Sequence, residues 1–343
     1  MTDWLGPVRL PANQPPRFYL GGEQIAGLRG PGAARTDYGP EDWVASTTTL
    51  FGERTDGLTV LPDGRWLRDA VREQPVLWLG SEHLGTFGAD PALLVKLLDA
   101  GQRLPVHCHP GDEFARAHFG SHYGKTEAWV VIGTAGESST VHIGFREPMD
   151  EPMLAGWVSE QDSAAMVESL NAVTVRPGDT VFIPAGLPHA IDAGVFIVEL
   201  QQPTDLSVTL EWQGFLAEEA AGHLGIGFPS ALGCVDRSGW DADRLGTLLR
   251  HGGGSDAVTA LFPAAATPFF QAQRVLAGAE LQPSFAVLVA VNGAGTLRAE
   301  NADELHVHKG NTFVVPHSAG ATELTGDLVA IRCLPPHPGV TNE

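Results

Sequence analysis

The sequence predicts a mainly β protein built of two related β-barrels with a helical linking segment between them, and three observations predict it. Short β-rich runs of strand length alternate with turn residues through the middle of the chain, among them LPVHCH, EAWVVIGT, STVHIGF, DTVFIPAG and GVFIVELQQ. The 343 residues include 41 Gly and 25 Pro, which suits many short elements, and the 43% apolar share suffices to fill two cores. An internal echo points to duplication. Gly178-Asp-Thr-Val-Phe-Ile-Pro184 returns as Gly310-Asn-Thr-Phe-Val-Val-Pro316, each a glycine turn, a buried strand and a proline that ends it.

Taken in order, residues 1–90 read as an irregular N-terminal segment that covers the first barrel, with a helix around 66–72 and an extended piece at 76–79, in PVLWLG. Residues 91–212 carry the strand runs of the first barrel, interrupted by DEFARAHF (112–119), whose leading acidic residues suit a helix N-terminus. Residues 213–262 are Ala/Leu-rich and read as a helical segment, with Asp241 as a cap. Residues 263–343 form the second barrel.

Charge narrows the function. With 41 acidic against 21 basic residues, the formal charge of −20 repels phosphate backbones and anionic lipid, so neither nucleic acid nor a membrane is an expected partner. A phosphorylated small molecule would need a local convergence of Arg or Lys. Cys108, Cys234 and Cys333 are odd in number and lack a CxxC pair, which suits a reducing compartment. The longest apolar runs, such as FAVLVAV at 285–291, are strand-sized, and the first residues lack the pattern of a leader. The expectation is a cytoplasmic protein, monomer or homodimer, acting on a small molecule.

Metal ligands one residue apart on a strand share a face, because side chains alternate. His107 and His109, in LPVHCHPGDEFARAH, meet that condition. Glu127 opens a strand in GKTEAWVV, and His189 follows the Pro-Ala-Gly turn of GDTVFIPAGLPHAI. Singly, each has an ordinary explanation as a solvated histidine, a surface carboxylate or a turn cap. Together they supply three imidazoles and one carboxylate. Gly178, five residues, Pro184, one residue, Gly186, two residues and His189 resemble the second cupin motif, and the first pair resembles the first. In the second barrel His306-Val-His308 has no such complement, since the position in register with His189 is Ala321. That barrel is expected to be metal-free.

The insertion between His109 and Glu127, ending in YGKTE, resembles one family in particular. LLVKLLDA at 93–100, PVHCHPGDE at 105–113, YGKTEAW at 123–129, PAGLPHAI at 184–191 and VELQQPTD at 198–205 are similar to the type I mannose-6-phosphate isomerases. The resemblance implies zinc held by His107, His109, Glu127 and His189, with Lys125, Glu199 and Asp205 beside it. Lys125 and Glu199 would handle protons in aldose–ketose exchange, and Asp205 would position sugar hydroxyls. Glu199 sits in the apolar run VFIVEL, where an unpaired carboxylate would be costly.

The chain departs from the family at named positions. His107 replaces a glutamine, so Mn2+, Fe2+, Co2+ or Ni2+ would suit the set as zinc does. The family's catalytic arginine falls on Val208 or Thr209, its phosphate-side serine falls on Pro105, and no Lys or Arg lies between Arg176 and Arg237. Arg103 and Arg116 read as ordinary surface charge. The substrate expectation is therefore a sugar phosphate, mannose-6-phosphate, or a related unphosphorylated sugar. A cupin oxygenase and a non-catalytic sugar-binding cupin are the rival classes.

Overall fold

The computed structural model describes residues 5–252 and 254–340, folded into four antiparallel sheets, in keeping with the mainly β expectation. One six-stranded sheet runs, in spatial order, Leu249–Arg250, Thr180–Ile183, Glu127–Gly133, Phe196–Gln201, Leu94–Asp99, Glu41–Val44. The other runs Val8–Leu10, Thr312–Val315, Ala286–Asn292, Val329–Leu334, Gln271–Leu276, Val258–Ala260. The repeated Gly-to-Pro motif supplies the second strand of both. The smaller sheets also correspond: His107–Cys108, His189–Ile191, Ser139–Phe145 and Leu170–Val175 follow the order of Glu280–Leu281, Thr322–Leu324, Ala294–Ala299 and Ala302–His308, with Val208–Thr209 added at one edge of the first.

The strands form where β-branched and aromatic residues alternate between two buried faces. Val287, Val289, Val314 and Ile331 turn toward Val130, Phe182 and Val198 of the other six-stranded sheet. Their neighbours Leu288, Phe313 and Ala330 turn the opposite way, onto Leu297 and Leu324 of the four-stranded sheet. Each fully buried side chain of this size contributes about 1.5–3 kcal/mol of burial energy. Behind the five-stranded sheet, Cys108, Ala190 and Val208 pack on Leu154, Val158, Met166 and Leu232.

Several local expectations are met. The helix Asp112–Phe119 begins on its two acidic residues, the helix Leu67–Glu73 matches the one expected around 66–72, and Asp241 caps Ala242–Leu248 by accepting from the Arg244 amide at 2.9 Å. Others are corrected. The piece at 76–79 is helical, not extended, within Pro75–Leu79: Pro75 is pre-set for a first helical turn, Gly80 ends it, and the turn buries Trp78 and Leu79. The helical segment at 213–262 is broken into the short pieces Glu219–Gly222, Phe228–Ala231, Leu232–Cys234 and Ala242–Leu248, and it also holds two edge strands. Two helices not expected, Glu151–Glu160 and Ser163–Ser169, bury Leu154, Val158 and Met166 against the five-stranded sheet. Residues 1–90, expected to cover the first barrel, supply a strand to each six-stranded sheet. No helix among the described residues is long and apolar enough to cross a membrane, and the three cysteines are free.

Gly310 shows how tightly the repeat motif is seated. Its φ of +88° is left-handed, and a Cβ there would stand 1.8 Å from the Leu28 carbonyl oxygen. Gly178, at φ +98°, has only Gly252 Cα at 3.5 Å. Gly310→Ala is therefore expected to lower unfolding free energy by about 2–4 kcal/mol, against about 1 kcal/mol for Gly178→Ala. Urea denaturation of the two variants measures the difference.

Candidate metal centre

The site lies between the five-stranded sheet and the six-stranded sheet that faces it. His107 and His189 are direct cross-strand partners on the smaller sheet, and His109 follows on the same strand face. Their rings cluster, with centroids 4.1 Å apart for His107–His189 and 5.0 Å for each of the other two pairs. The Pro-Ala-Gly turn before His189 is anchored on this strand: the Gly186 amide donates to the His109 carbonyl at 2.6 Å. Gly186 has φ +86°, and a Cβ would meet the Cys234 carbonyl at 2.9 Å.

Each imidazole is oriented by a backbone carbonyl. Nδ1 of His107 donates to the Pro105 oxygen at 2.8 Å, Nδ1 of His109 to Leu206 at 2.9 Å and Nδ1 of His189 to Leu187 at 2.8 Å. A carbonyl oxygen can only accept, so each Nδ1 carries a proton and each Nε2 is the ring nitrogen left for a ligand. The potential ligand atoms of the three residues lie within 4.8 Å of one another. Burial pushes the His107 imidazole well below its usual range and that of His109 down to about 3, with the Lys125 ammonium adding to the effect at both.

Glu127 closes the group from the opposite sheet. Its Oε2 lies 3.0 Å from His109 Nε2, and its Oε1 lies 3.3 Å from His189 Nε2, which is buried without a hydrogen-bond partner. Acceptor-rich groups thus converge in a buried cavity, an arrangement that positive charge between them would stabilise. Lys125 supplies part of it, with Nζ 2.7 Å from Glu127 Oε2 and 2.9 Å from His109 Nε2. Trp129 donates to the other carboxylate oxygen at 2.9 Å. Burial alone would raise the Glu127 carboxyl, but the Lys125 ammonium beside it holds it well below the usual carboxylate range. The donor set fits a divalent cation: three imidazoles and one carboxylate, all buried.

The remaining polar side chains come from a register row across the six-stranded sheet. Trp43, Lys96, Glu199 and Trp129 are successive cross-strand partners and so share one face. Lys96 Nζ lies 3.4 Å from both Glu199 Oε1 and Glu41 Oε2 and 5.0 Å from the Trp43 ring centroid. Glu41 also accepts from Tyr19 at 2.6 Å and from Trp43 at 2.7 Å, and Arg17 stands at 3.0 Å. Arg17 then reaches both oxygens of Asp205, at 3.1 and 3.3 Å. Glu199 Oε1 has no hydrogen-bond partner, and burial raises its carboxyl above the usual value. These groups line a cavity of about 40 Å3 that includes His107, Lys125, Glu127 and Thr209.

All seven site residues expected from sequence meet at this cavity or its metal-facing wall. Asp205 arrives already held by Arg17 and by the Phe51 amide at 3.2 Å. Arg17, Tyr19, Glu41 and Lys96 were not foreseen. Lys96 had a signal, because a lone lysine inside the apolar run LLVKLL must be paired, the same reasoning that singled out Glu199. Arg103, read as surface charge, pairs with Glu211 at the sheet edge. His306 and His308 are exposed on the outer face of their strand.

No family model matches this chain. It is 32% identical to a mannose-6-phosphate isomerase of Bacillus subtilis over 162 residues, which is 47% of this chain and 49% of the relative. It is likewise 32% identical to a mannose-6-phosphate isomerase of Streptococcus mutans over 154 residues, 44% of this chain and 45% of the relative. The chain thus spans about half the length of the curated relatives it matches. In fold it is similar to the mannose 6-phosphate isomerase crystal structure from Bacillus subtilis, with TM-score 0.73 at 19% identity over 96% of this chain and 99% of that one. A mutant phosphomannose isomerase from Salmonella typhimurium gives TM-score 0.73 at 18% identity over 96% and 100%. The likeness read from the motifs is matched by sequence over half the chain and by fold over nearly all of it.

Glu41 sets a pH dependence. Burial works to raise its carboxyl, but Arg17, Lys96 and the donors Tyr19 and Trp43 outweigh it and hold it well below the usual carboxylate range. A depressed carboxylate contributes stability that is complete above its unfolded pKa and is lost as pH falls through the folded one. Glu41→Gln should cost about 3–5 kcal/mol near neutrality by taking one of two carboxylate partners from each of the buried cations Arg17 and Lys96. The gap to the parent protein should narrow by about 1.4 kcal/mol for each pH unit below 4.5, read by urea denaturation across that range.

Proposed function

We propose that this protein, which has the fold of the phosphomannose isomerases, is a metal-dependent aldose–ketose isomerase that interconverts mannose-6-phosphate and fructose-6-phosphate or a closely related sugar pair. The observation that carries the reading is the clustering of three imidazoles beside the Glu127 carboxylate, with Lys125 and Glu199 at the same cavity. His107, His109, Glu127 and His189 would hold the cation, with zinc the first choice. When bound, a divalent cation supplies a Lewis acid that polarises a sugar oxygen.

The chain's own groups handle the protons. Exchange between adjacent carbons passes through an enediol and requires a base and an acid on the two carbons. Lys125 Nζ and Glu199 Oε1 lie 3.8 Å apart, close enough to serve neighbouring carbons. Burial raises the Glu199 carboxyl above its usual value, the direction that suits a group taking and returning a proton. Asp205, fixed by Arg17, would position sugar hydroxyls. Trp43 and Trp129 wall the site against water. In this reading residues 91–212 form the metal-binding cupin barrel and 263–343 the metal-free one, in a cytoplasmic monomer or homodimer. An unphosphorylated sugar is the second reading, because each cation lining the cavity already has a carboxylate partner.

Purified protein supplied with zinc should convert mannose-6-phosphate or mannose to the ketose and lose activity on chelation, with recovery on adding metal back. Oxygen consumption with bound iron and no ketose would identify an oxygenase instead, and sugar binding without turnover a binding protein. Glu199→Gln should lower turnover roughly 10²–10⁴-fold while leaving metal content unchanged. Equal loss of metal and turnover would make Glu199 a structural carboxylate.

A further inference from the structure

The cations of the metal cavity are already committed. Arg17 is shared by Glu41 and Asp205, Lys96 by Glu41 and Glu199, and Lys125 is bound to Glu127. A phosphoryl group seated among them would have to break these buried pairs, and Thr209, where an arginine was expected, is neutral. A second cleft of about 340 Å3 begins at the same place. Asp205 lines both, and Leu206, which also lines the cleft, accepts from His109 Nδ1.

This second cleft holds unspent donors. The helix Leu67–Glu73 places Arg68 and Arg72 one turn apart, on one face, and both line it together with Thr47, Thr48 and Thr49. Arg72 makes no ion pair among the described residues. Arg68 has its nearest carboxylate, Asp69, at 3.7 Å, and its Nε is buried without a hydrogen-bond partner. Thr48, only 9% exposed, has a buried Oγ1 that is also unpartnered. The acids of the cleft are engaged: Asp205 by Arg17 and the Phe51 amide, and Asp90 by the Ala92 amide at 2.8 Å. In a chain of net charge −20, two arginines facing a hydroxyl-lined cleft form a local reversal of sign.

We propose that Arg68, Arg72 and the Thr47-Thr48-Thr49 run form an anion subsite that takes the phosphoryl group of a sugar phosphate whose carbonyl end lies in the metal cavity. This rests on the isomerase reading for the identity of the other end, but the subsite itself is tested by binding alone. Arg68 and Arg72 take over from the N-terminal segment the role that the strand Val208–Thr209 lacks the charge to perform.

Calorimetric titration of the zinc-loaded full chain with inorganic phosphate provides the test. Binding is expected to weaken roughly tenfold in Arg72→Ala and again in Arg68→Ala, to be partly kept in Arg72→Lys, and to be unchanged in the exposed Arg35→Ala. Arg72 is exposed, so its replacement leaves the fold in place, which a thermal melt verifies. Phosphate should also compete with hexose 6-phosphate, and kcat/KM for the phosphorylated sugar relative to its parent hexose should fall in the same variants. Failure of phosphate to bind, or binding indifferent to both arginines, overturns the subsite. Turnover of mannose-6-phosphate that is insensitive to Arg68 and Arg72 overturns the subsite and leaves the isomerase reading standing. Arginine-dependent phosphate binding with no isomerisation supports the subsite and removes the isomerase reading.

Discussion

Buried charge must be paired, and in this molecule that constraint organises the whole site. Charges alternate in a chain from Asp205 to Arg17, Glu41, Lys96 and Glu199, and Lys125 carries it on to Glu127 and the histidines. Removal of any member would leave a neighbour charged and desolvated, at a cost of several kcal/mol. The positions of the polar groups are therefore interdependent. A cation at the three imidazoles would complete the sequence beside His189 Nε2, which no protein partner satisfies.

Two sheets and an N-terminal segment share the construction. The smaller sheet contributes imidazoles whose orientation is set by backbone carbonyls, a device that makes ligand direction a consequence of strand geometry. The larger sheet contributes the row Trp43, Lys96, Glu199 and Trp129, with one residue from each of four strands. The insertion 110–125 is tied down at both ends: Lys125 N donates to the Pro110 carbonyl, and Asp112 accepts from Gly124 N and Gln202 Nε2. These bonds fix the backbone from which Lys125 reaches the metal wall.

The same pairing limits what the cavity can bind. A neutral sugar carbon frame can exchange hydrogen bonds with a charge network without breaking it, whereas a dianion competes with its carboxylates. Under the proposed reading, phosphate recognition and proton chemistry would be kept apart by the two clefts that meet at Asp205. The N-terminal segment, which carries Arg17 into one cleft and Arg68 and Arg72 into the other, is then as much a part of the site as the strands.

Local chemistry in the sequence determined the strands, the helix Asp112–Phe119, the Asp241 cap, and the candidacy of His107, His109, Glu127 and His189, because alternation, capping and motif spacing are short-range properties. The repeat at Gly178 and Gly310 likewise announced the corresponding sheets. The helical turn at Pro75–Leu79 escaped because a short apolar run has no period of its own, and its state was decided by the burial of Trp78 and Leu79. Only the tertiary structure brought Arg17 beside Asp205, 188 residues away, and set Arg68 and Arg72 against the Asp205 loop. Neither contact leaves a local trace: each depends on how an irregular N-terminal segment, with little periodicity to read, crosses the face of a sheet formed by residues far along the chain.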